Sequence, residues 1–148
     1  MSVIKMAEQI KQIHPNYLLI FKVGAFCLTY GKDSYIIAAN FNYMLKTTSG
    51  VQSCGFSKKV LRKVMATLED RKINYLIIEP RNDYDVEEKS DNKNLNTYEQ
   101  EFKASYKIVK QKVKIEKIKE RLELYIGKDE FRNIIRKVED VLDENREI

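Results

Sequence analysis

The sequence predicts an α/β (α+β) fold: a small mixed sheet flanked by helices, followed by a C-terminal αα-hairpin. Three observations predict it. From Met1 to Pro80, short β-branched and aromatic runs alternate with helical patterns. From Arg81 to Thr97 apolar periodicity is lost, and Asp83, Asp85, Glu87 and Glu88 form an acidic patch. From Tyr98 onward the chain is helical, with Gly127 its one glycine and no proline. The expected organisation is therefore a domain over 1–80, an acidic and polar linker over 81–97, and a helical hairpin over 98–148.

Each element has a local reason. Ala7 to His14 reads as a helix ending before Pro15, because the residue before proline avoids the helical region. Tyr17 to Val23 is an apolar run bounded by Pro15-Asn16 and Gly24, the pattern of a buried strand. Phe26 to Tyr30 continues extended until Gly31. Asp33 or Ser34 is placed to cap a helix through Ala39. Tyr43 to Thr47 and Val51 to Phe56 flank Thr48-Ser49-Gly50 as a hairpin. Ser57 is a candidate cap for a helix whose Val60, Leu61, Val64, Met65 and Leu68 form one apolar stripe. Tyr75 to Ile78 is a closing strand, stopped by Pro80. Tyr98, Phe102, Tyr106, Val109 and Val113 then make a stripe on a long helix from Glu99 to Ile126. Gly127 ends that helix and Asp129 is placed to cap the next, whose Phe131, Ile134, Ile135, Val138, Val141 and Leu142 share a face. Two helices alone bury little, so this hairpin must meet the first domain, a partner or a second copy.

Several function classes are excluded for a chain of 148 residues. It is too short for a motor ATPase or polymerase, and its five glycines hold no P-loop. No apolar run approaches the length of a membrane span. Met1 to Ile13 has no signal-peptide core, so a cytoplasmic protein without a membrane partner is expected. Cys27, Cys54 and His14 are too scattered for a zinc site, and no cofactor or metal is expected. They are also the sole Cys–His combination, and nothing beside them completes a nucleophile, base and orienting group. A non-enzyme is expected.

The net charge of +5 is concentrated rather than spread. Lys58, Lys59, Arg62 and Lys63 begin one helix without an acidic neighbour. Lys103, Lys107, Lys110, Lys114 and Lys117 recur three or four apart on the long helix. Either cluster is a solvated face or a phosphate-binding surface. Phe26, two residues past Gly24, is a core aromatic or an exposed ring available for base stacking.

His14 to Glu79 resembles the N-terminal mismatch-recognition domain of the MutS family of DNA mismatch repair proteins. The likeness begins at His14-Pro15, runs through the apolar strand to Phe21-Lys22-Val23-Gly24, and continues as Ala25-Phe26-Cys27-Leu28-Thr29-Tyr30. Cys54-Gly55-Phe56, the helix of Leu61 to Leu68 and Tyr75-Leu76-Ile77-Ile78-Glu79 follow in the family's order. After Glu79 the chain departs from that pattern. The resemblance implies a mixed sheet surrounded by helices. It implies that Phe26 holds the position of the family's phenylalanine, which stacks on a mismatched base from the minor groove. The family's glutamate two residues later is Leu28 here, which accepts no hydrogen bond.

Two function classes follow. The first is a non-catalytic nucleic-acid-binding accessory protein without the family's ATPase. Phe26 would stack, and Lys22, Lys58, Lys59, Arg62 and Lys63 would meet phosphates. Its partner would be DNA, with RNA or a DNA–RNA hybrid as alternatives. Such small relatives occur beside reverse transcriptases of diversity-generating retroelements, which suggests the accessory role. The second is a protein-interaction or oligomerisation module that has lost DNA binding. Its hairpin would join a protein partner or a second copy.

Overall fold

The computed structural model describes residues 2–93 and 97–146. Residues 94–96 of the expected linker and 147–148 of the expected hairpin lie outside the described residues.

The chain divides into two compact units, Met1–Val109 and Lys110–Ile148. The first unit is a six-stranded sheet with helices on both faces. Helix α1 (Val3–Ile13) starts earlier than the periodicity suggested, because the Ser2 side chain accepts the Lys5 amide at 3.2 Å. It leads to β1 (Leu18–Val23) and β2 (Phe26–Tyr30), which pair antiparallel. Helix α2 (Lys32–Phe41) follows, and then the hairpin of β3 (Lys46–Thr48) and β4 (Val51–Ser57). Its Ser49 and Gly50 both have positive φ, the requirement of a tight hairpin turn. Tyr43, expected to open β3, instead stacks between Phe41 and Phe56 at 5.8 and 5.9 Å. A 3-10 turn over Lys58–Val60, capped by Ser57, feeds α3 (Leu61–Asp70). Strand β5 (Tyr75–Glu79) runs parallel to β1 and antiparallel to β6 (Asp85–Lys89). The sheet order is β3-β4-β2-β1-β5-β6.

Burial explains which strands were legible. Central β1 and β5 are covered on both faces, so they are continuous apolar runs rather than alternating ones. One face carries the larger core of Leu18, Ile20, Cys27, Ile36, Ile37, Val64 and Leu68. The other carries a smaller cluster of Leu19, Phe21, Leu76 and Ile78 under Ala7 of α1.

Strand β6 corrects the expectation of a linker over 81–97. Pro80–Asn82 is a 3-10 turn and Asp85–Lys89 is the sixth strand. An edge strand needs charge rather than apolar alternation, and Asp-Val-Glu-Glu-Lys reads as loop for that reason. The first turns of the long helix α4 (Thr97–Glu123) also belong to the first unit. Buried Tyr98 and Val109 and half-buried Phe102 join its core.

Asp33 is not a helix cap: α2 has Gly31 at its N-cap and no capping side chain. The Asp33 carboxylate is instead buried, accepting from the Leu19 amide at 3.0 Å, Lys11 Nζ at 2.8 Å and the Tyr98 hydroxyl. One side chain thereby joins α1, β1, α2 and α4. Burial, and then the adjoining carboxylate, push the Tyr98 phenol upward, so it stays protonated and able to donate.

The second unit holds the remainder of α4 and α5 (Phe131–Glu144), with Gly127 at φ +81° between the two helices. Asp129 is not the cap of α5. Glu130 holds that position and makes no capping hydrogen bond. Among the described residues no helix is long and apolar enough to cross a membrane, and no cluster of His, Cys, Asp and Glu could hold a metal ion.

Candidate nucleic-acid interface

The turn between β1 and β2 presents the candidate ring. Val23 pairs with Phe26, leaving Gly24-Ala25 as a two-residue connection. Gly24 has φ +61°, and glycine at the first central position is what a type II′ hairpin demands. Phe26 lies just past this tip and is 57% exposed. It meets no other aromatic ring among the described residues, unlike Phe21 and Phe56. Val23, directly opposite on the same face, is 37% exposed.

Leu28 continues that face. It pairs with Gly55 of β4, and a Cβ built on Gly55 would come within 2.8 Å of Leu28 Cδ2. The position that resembles the family's glutamate therefore holds an apolar side chain lying over a glycine. Val23, Phe26 and Leu28 give the hairpin end an apolar surface with no carboxylate of its own.

The cations divide into two groups. Phe26 pairs with Ser57, and the Lys58 amide donates to the Ala25 carbonyl at 3.0 Å. The start of the 3-10 turn is thus fastened to the β1–β2 tip, and the charge of Lys58 acts on Cys27, on the face opposite Phe26. The Lys58 and Lys59 amides are already used, the second donating to Ser57 Oγ at 3.2 Å. Anion affinity here must come from the lysine side chains. Lys58, Lys59 and Lys63 make no ion pair among the described residues. No acidic residue lies in the first turn of α3, so nothing local neutralises them.

Lys22 and Arg62 are held by β6. Lys22 Nζ lies 2.6 Å from Glu87, and Arg62 donates to Glu88 at 2.8 Å. The hydrogen bond that Lys22 donates to Glu87 is the main cause of its raised pKa. Two successive residues of a strand normally point to opposite faces. Here the β5–β6 register jumps, Ile77 facing Glu88 and Ile78 facing Val86, which makes Glu87 the extra residue of a bulge. Both glutamates therefore reach cations. Lys22 shares the face of Cys27, across the sheet from Phe26, so the structure does not bring all six candidates together.

Sequence reasoning missed Glu87 and Glu88 as partners of these cations. Their signal was the acidic patch itself, unreadable as a strand without its pairing to β5. On the long helix, Lys103, Lys107, Lys110, Lys114 and Lys117 are all exposed. The two thiols are unsuited to nucleophilic chemistry. Burial pushes Cys27 and Cys54 each up to about 11, so both are neutral near pH 7.

A family model described as MutS domain I matches residues 2–119, about four fifths of the chain. The match runs past Glu79, where the residue-level likeness stopped, through β6 and into α4. No curated protein matches the chain.

Proposed function

The chain belongs to the MutS domain I family, and from that membership we propose that it is a non-catalytic nucleic-acid-binding protein that probes duplexes for weak stacking. The observation that carries this reading is the exposed Phe26 ring at the β1–β2 tip, to which the lysine-bearing 3-10 turn is fastened by the Lys58 amide. A wedge inserted between base steps costs a few kcal/mol of unstacking, least where pairing is already defective. The lysines supply the phosphate attraction that keeps the ring at the duplex. Leu28 leaves no acceptor beside the ring, so recognition rests on stacking and deformability rather than on a hydrogen bond to the displaced base.

Fluorescence anisotropy across perfect, mismatched, single-stranded and RNA-containing probes tests this. With Lys58, Lys59 and Lys63 on phosphates, log affinity should fall with log salt at a slope of about −3. The triple variant K58E/K59E/K63E should flatten that slope for every probe. A salt-independent affinity, or none for any probe, would remove the reading.

Strand β6 sets how strong that attraction is. E87Q/E88Q removes both carboxylates while keeping their shape, freeing Lys22 and Arg62. Affinity should rise several-fold and the slope should steepen by up to about two further contacts. An unchanged slope would mean that neither cation faces the nucleic acid.

An accessory role beside a polymerising enzyme, such as the reverse transcriptase of a diversity-generating retroelement, rests on the resemblance alone. The second reading, a protein-interaction module, is favoured by one observation: the apolar stripe of α5 has no buried member.

A further inference from the structure

We propose that the second unit carries a nucleic-acid backbone site of its own, a ridge of Lys110, Lys114, Lys117 and Arg121 along α4. The ridge stands on that unit alone and does not depend on the Phe26 hairpin. Helix α4 is unbroken from Thr97 to Glu123. The four cations follow one another at spacings of four, three and four, so they fall within an arc of about 60° and extend about 16 Å along the helix. All four are exposed. Between Lys110 and Arg121 no other residue falls within that arc. Lys103 and Lys107 precede them at the same spacing, outside the second unit.

The carboxylates of this stretch are sorted away from the ridge. Glu116 and Glu123 lie on the opposite side of the helix, and Glu120 at its flank. Lys119, also on the opposite side, takes Glu116 at 3.1 Å. Lys114, Lys117 and Arg121 make no ion pair among the described residues. Like charges three and four apart repel within a helix, so the bare ridge carries a cost that a polyanion removes. Packing within the unit does not occupy it. Arg121 stands at the edge of the cleft that Ile118 and Leu122 form with Ile134, and the three lysines are outside that cleft. A helix that lies on a membrane needs apolar side chains among its cations to enter the acyl boundary, and this arc has none. The choice of nucleic acid over another polyanion rests, like the reading above, on membership of the MutS domain I family, whose match runs to residue 119 and takes in the three lysines. Such a ridge meets phosphates and no base edges, so it binds without regard to sequence or pairing.

Fluorescence anisotropy with the full chain separates the ridge from the hairpin. F26A/K58E/K59E/K63E disables the hairpin site. It should still bind perfect and mismatched duplexes alike, with a salt slope of about −3 to −4 for four phosphate contacts. Adding K110Q/K114Q/K117Q/R121Q should weaken that residual binding roughly tenfold or more. Glutamine is about as good a helix former as lysine, so the helix is kept. Placing K110R/K114R/K117R/R121K there instead of the glutamines should rescue both affinity and slope, because a backbone contact needs charge rather than one side-chain shape. The proposal is overturned by residual binding that is absent, that survives the glutamine substitutions, or that goes to phosphatidylserine vesicles in place of oligonucleotides. A hairpin-disabled chain that binds like the parent, with no mismatch preference in either and with loss on the glutamine substitutions, would instead remove the Phe26 reading and leave the ridge standing.

Discussion

Replacing Asp33 with alanine should lower the unfolding free energy by about 3–5 kcal/mol, the penalty for stripping one partner from a buried charge network. The carboxylate is 2% exposed and has three donors. Its removal leaves the Leu19 amide in the core without an acceptor. It also strips the Tyr98 hydroxyl of its acceptor and Lys11 of its counter-charge. Lys11 retains the Tyr17 carbonyl and lies 4.6 Å from the Tyr98 ring centre, so some compensation survives. Domains of this size have stabilities of only about 5–15 kcal/mol, so the loss is a large share of the whole. Urea unfolding followed by near-ultraviolet circular dichroism measures it. A loss under about 1 kcal/mol would show that the network is not holding the four elements together. Asp33→Asn should lose less, because its amide oxygen still accepts from one donor.

The same network sets a pH dependence. Tyr98 is raised in the folded state, so its contribution is complete below the ordinary phenol value of about 10. It is lost as pH rises above that value, where the unfolded chain ionises first.

Asp33 also shows where sequence reading stops. Three residues beyond Tyr30, beside a glycine, a carboxylate is a natural cap, and nothing local contradicts that. Its real partners are an amide of β1 and a phenol 65 residues away, and only tertiary structure joins them. By contrast, Leu61, Val64, Met65 and Leu68 announced α3 because burial there follows the helical period. Leu18 to Phe21 announced β1 because both of its faces are covered. Strand β6 was hidden by its charge. An edge strand gains its place from backbone pairing to β5, to which no side-chain period testifies. The candidate interface was legible in the same uneven way. Phe26 and Gly24 stood out as a pair within the local β1–β2 hairpin, whereas the pairing of β2 with β4 that brings in Lys58 joins residues about 30 apart and left no local signal. The division of the cations by Glu87 and Glu88 was not legible, since it depends on a bulge in a strand that the pattern did not reveal.

Phe26→Ala should weaken binding to mismatched or bulged duplexes by about 1–3 kcal/mol, the range measured for loss of one base-stacking aromatic. That is roughly a 5- to 150-fold rise in Kd. Binding to perfect duplex should change much less, because there the ring must first break intact stacking. The variant is clean for this purpose: the side chain is 57% exposed and outside both core clusters, so stability should stay within about 0.5 kcal/mol of the parent. Phe26→Leu separates two components of the effect. Leucine can still wedge between steps but has no π face, so it should recover part of the preference for distorted duplex and little of the affinity for single strands. If Phe26→Ala leaves distorted and perfect duplexes bound as before, the ring is not a wedge. If it weakens both equally, the ring contributes contact without discrimination. A preference that survives in the parent and vanishes with the ring would mean that a chain with Leu28 in place of a hydrogen-bonding residue can sense defective pairing through stacking alone. Its ranking of mismatches should then follow the flexibility of the flanking steps, not the identity of the mispaired base.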